Sequence, residues 1–273
     1  MLARALSPRR GETTGPRRGP NISATMCVRK DAEADSQHKT AYQKFGTSKQ
    51  TGAFFVKDLI NMTLRRQQDR KEIIRVIQSA ANEYKKYLVG RTFLYVFDNR
   101  YIEVLYKAAN FKHLTGVESH LSAKDFYKNA LRHRLQSTQI FFSSRHPYQL
   151  CKRKLQHLHE ISHLAQCENF MLEEIITNTR SYRFGTTDLN FTLCMNKEQD
   201  SNGKEKGTCF IVESLRDEDC FSKSKMAYDV THILSKKNDE KLYHVLHFQS
   251  HSAINVPSDL YAKLDEHLRD VLQ

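Results

Sequence analysis

The spacing of the apolar residues changes at Gly90 from a helical period to an alternating one. From near Gln68 to Leu88, apolar side chains recur every three or four residues, which predicts an amphipathic helix with Gly90 as its C-cap. Downstream, Arg91–Asp98 and Tyr101–Lys107 are rich in β-branched and aromatic residues and flank a turn-forming Asp-Asn pair. This second pattern predicts a β-hairpin.

The segments after the hairpin predict helices first and strands later. Ser122 is expected to be the N-cap of a second helix, and Pro147 precedes a third helix at Tyr148–Leu158. Strands are predicted at Asp188–Met195, Thr208–Glu213, Tyr228–Ser235 and Leu242–Phe248, with a hairpin turn at Asn202-Gly203 and a last helix after Pro257. The predicted fold class is α+β, with N-terminal helices and a β-hairpin, then a curved antiparallel meander sheet and a C-terminal helix, in one domain over residues 68–273.

The positive charge of the chain is concentrated at its start. The net charge is +12, and residues 1–30 hold seven Lys and Arg, one acid (Glu12) and three of the five Pro. With so little apolar surface to bury, residues 1–60 are predicted to be a disordered basic leader and linker. Three interpretations remain open: a nucleic-acid-binding arm, an organelle transit peptide that its prolines would disrupt, or translation upstream of a start at Met26 or Met62, which we favour.

Several classes of protein are excluded by what the sequence lacks. It has no uncharged apolar run of about 18 residues, so no membrane span and no membrane partner are expected. The six Cys are scattered without a CxxC pair, which argues against a disulfide framework or a Cys-type zinc site and indicates a reducing, cytoplasmic setting. No P-loop or GxGxxG motif occurs, and no cofactor is predicted.

One motif suggests a different chemistry. His159-Glu160-Ile161-Ser162-His163 matches H-E-x-x-H, which on a helix would place two His ligands for zinc and a Glu general base on one face. The extended form of the motif needs Gly at 166 and His at 169, where Gln166 and Asn169 stand. A zinc metallopeptidase is therefore kept only as a minor alternative, and no metal ligand is assigned.

Phosphate-binding chemistry is better supported by other segments. The block NFKHLTGV contains His113, the His best suited to general acid/base work near neutral pH. The blocks FFSSRHPY and FSKSK combine hydroxyls and cations without neighbouring carboxylates, as a phosphate site requires.

These blocks also carry a family resemblance over about residues 75–260. FKHLTGV with LSAKDFY is its strongest part, and FLYVFDNRYIEVLYK, STQIFFSSRHPYQLCKRK, TTDLNFTLCM and ILSKKNDEKLY extend it. The chain resembles the barnase/EndoU/colicin/RelE-like nuclease domains, type four, of phages and mobile elements. The resemblance implies an α+β fold, RNase activity without metal, RNA as substrate and a cognate inhibitor protein as a partner.

The resemblance and the residue types together suggest roles for individual side chains. Attack of a ribose 2′-OH on its own phosphate needs a base, an acid and cations that stabilise the phosphorane. His113 is expected to be the acid or base, with Arg145, Lys223 and Lys236 as cations; the expected substrate-binding residues are Thr115, Ser144, Ser222 and Lys124, and Tyr182 to stack on a base.

The alternative is a catalytically inactive RNA- or protein-binding module of the same fold. A sheet face on which His113 and at least two cations converge would favour the enzyme. A buried His113 with dispersed cations would favour the binding module.

Overall fold

A computed structural model of the chain describes residues 49–251 and 256–272. The chain divides into two compact units, residues 1–61 and 62–273. The predicted leader lies, up to residue 48, outside the described residues and stays a prediction. Within the described ranges, no helix is both long and apolar enough to cross a membrane.

The described elements are six α-helices and eleven strands, with four short 3₁₀ turns. In chain order they are α1 Lys49–Tyr87, β1 Arg91–Phe97, β2 Arg100–Leu105, α2 Phe111–Thr115, β3 Glu118–Ser119, α3 Ala123–Leu131, β4 Ile140–Phe141, α4 Tyr148–Gln156, α5 Ile161–Leu164, β5 Phe170–Ile176, β6 Ser181–Thr187, β7 Thr192–Gln199, β8 Glu205–Arg216, β9 Met226–Asp229, β10 His232–Lys237, β11 Val245–Gln249 and α6 Glu266–Val271.

The helix and the hairpin predicted from the period change are both present. Helix α1 begins well before the predicted start near Gln68, and the chain leaves it through a turn in which Gly90 has φ +85°. Asp98 and Asn99 form the two-residue turn between β1 and β2, with φ values of 50° and 52°. Left-handed backbone at both central positions matches the right-handed twist of the paired strands, so this turn sets the register of the hairpin.

Strand β1 is buried on both faces, which explains why its sequence does not alternate. Phe93 and Tyr95 pack into the large cluster that includes the apolar face of α1. Leu94 and Val96 pack on the opposite side, in a second cluster with Leu260, Leu264 and Leu268 from the C-terminal segment. The C-terminal segment therefore covers the face of β1 that α1 leaves open.

The nine long strands form one sheet in the order β11-β10-β1-β2-β8-β7-β6-β5-β9. Neighbouring strands are antiparallel except β2 and β8, which pair parallel with Val104 opposite Phe210 and Leu105 opposite Ile211. The α+β class with a large antiparallel sheet and a C-terminal helix is confirmed. The parallel pair interrupts the predicted meander and joins two antiparallel groups of strands.

The predicted strands are present, but their bounds differ. The strand predicted at Leu242–Phe248 begins only at Val245, and the strand predicted at Thr208–Glu213 runs from Glu205 to Arg216. The strand predicted at Asp188–Met195 begins only at Thr192, because the preceding residues turn and Leu189 has φ +80° with 58% of its surface exposed. The strand predicted at Tyr228–Ser235 is two strands, with β9 on β5 at one edge of the sheet and β10 beside β1. The hairpin turn at Asn202-Gly203, between β7 and β8, is confirmed.

The helices predicted after the hairpin are present, but two of them are shorter than predicted. The Ser122 hydroxyl accepts a hydrogen bond from the Asp125 N–H at 3.1 Å, so Ser122 is the N-cap of α3 as predicted. The helix predicted to reach Leu158 ends at Gln156. The helix predicted after Pro257 is a 3₁₀ turn, Ser258–Lys263, followed by α6.

A close contact beneath β6 gives a test of this packing. A Cβ atom at Gly185 would lie 2.5 Å from Cδ1 of Ile175 on β5 and 3.0 Å from Cγ2 of Thr192 on β7. Gly185→Ala is expected to lower the free energy of unfolding by about 1–3 kcal/mol through overpacking, measured by urea denaturation. Ile175→Val removes the nearest atom, so the double variant should lose less stability than the sum of the two single changes. Additive losses would contradict the contact.

Candidate functional site

A cavity of about 1150 Å³ opens over strands β2, β6, β7 and β8. His113 of α2 and Asn110, just before that helix, line one side of it. The charged residues on its wall are four cations and four carboxylates: Arg180, Arg183, Lys197, Lys263, Glu103, Glu198, Glu205 and Glu213. A site with this lining can hold a charged, polar ligand rather than an apolar one.

His113 is brought to the cavity by the short helix α2. Phe111 and Leu114 bury one face of this helix, and the side-chain amide of Asn110 donates to the carbonyl oxygen of Val212 on β8 at 2.9 Å. Gly116, with φ +70°, ends the helix by donating its N–H to the His113 carbonyl oxygen. These contacts place α2 against β8 and leave the His113 side chain exposed to solvent.

The surroundings of His113 favour its neutral form. Desolvation by the crowded neighbours and then the charge of Lys112 lower the pKa of His113 below its ordinary value, while the Glu213 carboxylate acts in the opposite direction. A lowered pKa increases the fraction of neutral imidazole at pH 7, the form that can accept a proton.

Arg180 and Glu213 form an ion pair beside this His. Arg180 Nη2 lies 2.9 Å from Glu213 Oε2, and the same oxygen accepts a hydrogen bond from Asn196 Nδ2 at 3.2 Å. Asn196 Oδ1 in turn accepts the backbone N–H of Arg183 at 2.7 Å. The network fixes the orientation of the Arg180 guanidinium, just before β6, and of the Glu213 carboxylate on β8, with Asn196 on β7 between them in strand order.

The turn that carries Arg180 is fixed by hydroxyl groups. Arg216 Nη2, at the end of β8, donates to the side-chain oxygens of Thr177 and Thr179 at 2.9 and 3.1 Å. Thr177 also accepts the Arg180 N–H at 3.1 Å and donates its hydroxyl to the Arg180 carbonyl at 2.6 Å. Arg180 is therefore held at its backbone as well as through its ion pair.

Residues 76–252 of the chain match the family model described as phage-Barnase-EndoU-ColicinE5/D-RelE like nuclease 4. The chain belongs to this nuclease family. The match covers more than half of the chain and includes α2, the cavity strands and the turn at Thr177–Arg180. No curated protein and no solved structure matches the chain. The family description indicates nucleic acid as the class of substrate.

Two of the residues expected to bind substrate, Thr115 and Tyr182, are buried inside the protein. Thr115 is fully buried, and its hydroxyl donates to the Lys112 carbonyl at 2.7 Å and accepts the Val117 N–H. Tyr182 is also buried, with the guanidinium carbons of Arg180 and Arg216 at 5.7 and 5.8 Å from its ring centre. In this arrangement the Thr115 hydroxyl links Lys112 to Val117 at the end of α2, and the Tyr182 ring contacts two guanidinium groups.

The three expected catalytic cations do not line the cavity. Arg145 is exposed in the loop before α4. Lys223 pairs with Glu218, and Lys236 donates to the Lys241 carbonyl at 3.0 Å. The remaining expected substrate-binding residues are exposed and also lie outside the cavity lining: Ser144, Ser222 and Lys124. Of the predicted site residues, only His113 lies in the cavity.

The H-E-x-x-H segment is not one helix. Helix α5 begins at Ile161, so His159 precedes it, and His159 Nδ1 pairs with Glu83 at 3.1 Å. His163 is exposed on α5. Within the described ranges, no group of three His, Cys, Asp or Glu side chains is placed to hold a metal ion. The two His side chains therefore lack the shared helical face that a zinc peptidase requires.

The pKa of His113 gives a test of this geometry. Because the Glu213 carboxylate stabilises the imidazolium form, Glu213→Gln should lower the His113 pKa further, measured by following its ring protons in an NMR titration. Glu205→Gln is the matched control, since Glu205 lines the same cavity but pairs with Lys197 at 3.0 Å. An equal shift in both variants would show that His113 does not sense Glu213 specifically.

Proposed function

We propose that the protein is a metal-independent endoribonuclease that uses the ribose 2′-OH of its substrate as the nucleophile. The observation that supports this proposal is the convergence of exposed His113 with Arg180 and Arg183 in one cavity on the sheet. The family description indicates that the substrate is a nucleic acid. Because the proposed nucleophile is a ribose 2′-OH, the substrate is RNA rather than DNA.

In this mechanism His113 is the general base. Its neutral imidazole takes the proton of the 2′-OH, and the oxygen attacks the adjacent phosphorus to form a phosphorane. The bond from phosphorus to the 5′-oxygen then breaks, leaving a 2′,3′-cyclic phosphate. Among the described residues of the cavity wall, His113 is the side chain whose ordinary pKa lies near neutrality, so the leaving oxygen takes its proton from water in the cavity.

Arg180 stabilises the charge that develops on the phosphorane. Its guanidinium is planar and multidentate, and its position is fixed by Glu213 and by the Thr177 turn before substrate binds. A donor that is already oriented needs no reorganisation when the charge appears. Glu213 acts as a positioning residue that keeps Arg180 beside His113.

The biological setting belongs to the same proposal. We infer a cytoplasmic nuclease of phage or mobile-element origin, because the family description names phage proteins and the sequence has the cysteine use of a reducing compartment. A nuclease active in the cytoplasm that makes it would degrade the cell's own RNA. A cognate inhibitor protein that covers the cavity is therefore part of the proposal.

Removal of His113 is the first test of the proposal. The purified protein is expected to cleave total RNA in the presence of EDTA, and His113→Ala should lower the rate by about 10²–10⁴-fold because the general base is lost. An oligonucleotide with 2′-deoxyribose throughout should remain intact. The measurement is the appearance of 2′,3′-cyclic phosphate ends.

His163→Ala is the matched control for this experiment. His163 is exposed on α5, outside the cavity, and its loss should leave the cleavage rate unchanged. Activity that EDTA abolishes, or that His163→Ala abolishes, would contradict the metal-independent mechanism. RNA that binds but is not cleaved under any condition would support the binding module instead.

Arg180 and Arg145 can be distinguished by the same assay. Arg180→Ala should lower kcat by about 10²–10³-fold, as removal of one preorganised transition-state donor does. Arg145→Ala should have little effect, because Arg145 lies outside the cavity lining. The opposite order of effects would assign the transition-state cation to the loop before α4.

A further inference from the structure

The cavity follows strand β8 as a groove. The first residue of β8 on its wall is Glu205 and the last is Glu213. At a strand rise of about 3.3 Å per residue, these two positions lie about 25 Å apart along the strand. The groove therefore extends well beyond the phosphodiester that we place at Arg180, beside Glu213. An RNA strand bound along it would contact further residues of the wall.

The groove is open because β2 and β8 separate. Their parallel pairing is limited to Val104 opposite Phe210 and Leu105 opposite Ile211. Before these positions the two described strands do not pair, and residues of both line the cavity: Tyr101, Ile102 and Glu103 on β2, and Glu205 and Thr208 on β8. A gap between two strands can be reached by side chains from either face of the sheet.

Three cations besides Arg180 line the groove, and two of them are held by carboxylates that are difficult to replace. Arg183 lies between two carboxylates, those of Glu173 at 3.6 Å and Glu174 at 3.3 Å. Lys263 pairs at 3.1 Å with Glu103, whose side chain is only 15% exposed. A phosphate at Lys263 would leave this largely buried carboxylate without its cation, which is costly.

The third cation, Lys197 on β7, has an exposed counter-ion. Lys197 Nζ lies 3.0 Å from Glu205 Oε2, and the Glu205 side chain is 58% exposed. In the described part of the chain, this carboxylate makes no other ion pair or side-chain hydrogen bond. An exposed carboxylate that leaves its partner is hydrated again at little cost. Lys197 is therefore the cation of the groove whose partner is most readily exchanged.

The place of Lys197 along the groove separates it from the proposed cleavage site. Lys197 is opposite Phe210 in the register of β7 and β8, about 10 Å from the position of Glu213 at the rise of a strand. Its Nζ lies 5.8 Å from the centre of the Phe210 ring, and its ammonium extends on towards Glu205. A phosphate at this ammonium is thus a different one from the phosphate at Arg180.

We propose that Lys197 binds a second phosphodiester of the RNA strand, and that Glu205 is the counter-ion which this phosphodiester displaces. The identity of the strand rests on the proposed function. A phosphodiester carries one negative charge and accepts hydrogen bonds from an ammonium group, as the Glu205 carboxylate does in the free protein. The two side chains of one ion pair should therefore have opposite effects on binding, since Lys197 holds the strand and Glu205 competes with it.

The test measures binding separately from cleavage. A 2′-O-methyl RNA octamer cannot be cleaved by 2′-OH attack, and its Kd can be followed by fluorescence anisotropy over a range of salt concentrations. Lys197→Met should raise the Kd about fivefold and make the slope of log K against log salt shallower by about 0.7, the loss of one phosphate contact to single-stranded RNA. Glu205→Gln should lower the Kd by about two- to fivefold, because the competing carboxylate is lost.

Matched controls remove the same charges outside the groove. Lys204 is exposed in the turn before β8, Glu168 is exposed before β5, and neither lines the cavity. Lys204→Met and Glu168→Gln should keep the Kd and salt slope close to those of the wild type. A Kd for Lys197→Met equal to that for Lys204→Met would overturn the subsite at Lys197, and so would Glu205→Gln binding no more tightly than Glu168→Gln. If Lys197→Met does not fold, the comparison at exposed Glu205 decides the proposal.

The two proposals can fail independently. If the octamer binds with the expected dependence on Lys197 and Glu205 but RNA is not cleaved, the subsite stands and the nuclease mechanism fails. If RNA is cleaved through His113 while Lys197→Met binds like its control, the mechanism stands and the subsite is wrong.

Discussion

The parallel contact between β2 and β8 is the constraint on which the rest of the structure depends. It joins one antiparallel group of strands, β11-β10-β1-β2, to the other, β8-β7-β6-β5-β9. A parallel connection needs a long crossover, and here the crossover contains helices α2 to α5 and strands β3 to β7, of which β6 and β7 line the cavity. The amide of Asn110 reaches β8 from the start of this crossover, so the junction between the two groups of strands also places His113.

The cavity is nearly balanced in charge, and this affects how a polyanion would enter it. Arg180 pairs with Glu213, Lys197 with Glu205 and Lys263 with Glu103. The side chains of Glu213 and Glu103 are only 18% and 15% exposed, whereas that of Glu205 is 58% exposed. The value of about 0–1 kcal/mol for solvent-exposed ion pairs therefore applies to the Lys197–Glu205 pair, which a phosphate can replace at the smallest cost. The net charge of +12 is therefore a poor guide to the site. What distinguishes the site is that one of these cations, Arg180, is held near His113 both by its ion pair and by the Thr177 turn.

The sequence predicted the elements whose signals are local and missed the contacts that depend on strand register. The Ser122 cap, the Asp98-Asn99 hairpin and the turn at Asn202-Gly203 each follow from a few adjacent residues. Arg180 and Glu213 meet only because β6, β7 and β8 are neighbours, and in the sequence each is an ordinary charged residue. Tyr228–Ser235 has the composition of one strand, and only tertiary pairing divides it between two places in the sheet. His113, which lines the cavity, could be singled out from the sequence because a pKa near neutrality is specific to imidazole, whereas any surface segment can carry Lys or Arg.

The order of the strands also determines when the site can exist during synthesis. Residues of β2 pair with residues more than a hundred positions later in the chain, and β1 pairs with β10 over a still longer separation. Contacts so distant in sequence form late, since a large loop must close before they contribute free energy. A nascent chain that ends before β8 has α2 and the Thr177 turn but lacks the strand that contacts both, through Val212 and Arg216. The ribosome that makes this chain therefore carries no assembled His113–Arg180–Glu213 site until most of the domain has been synthesised.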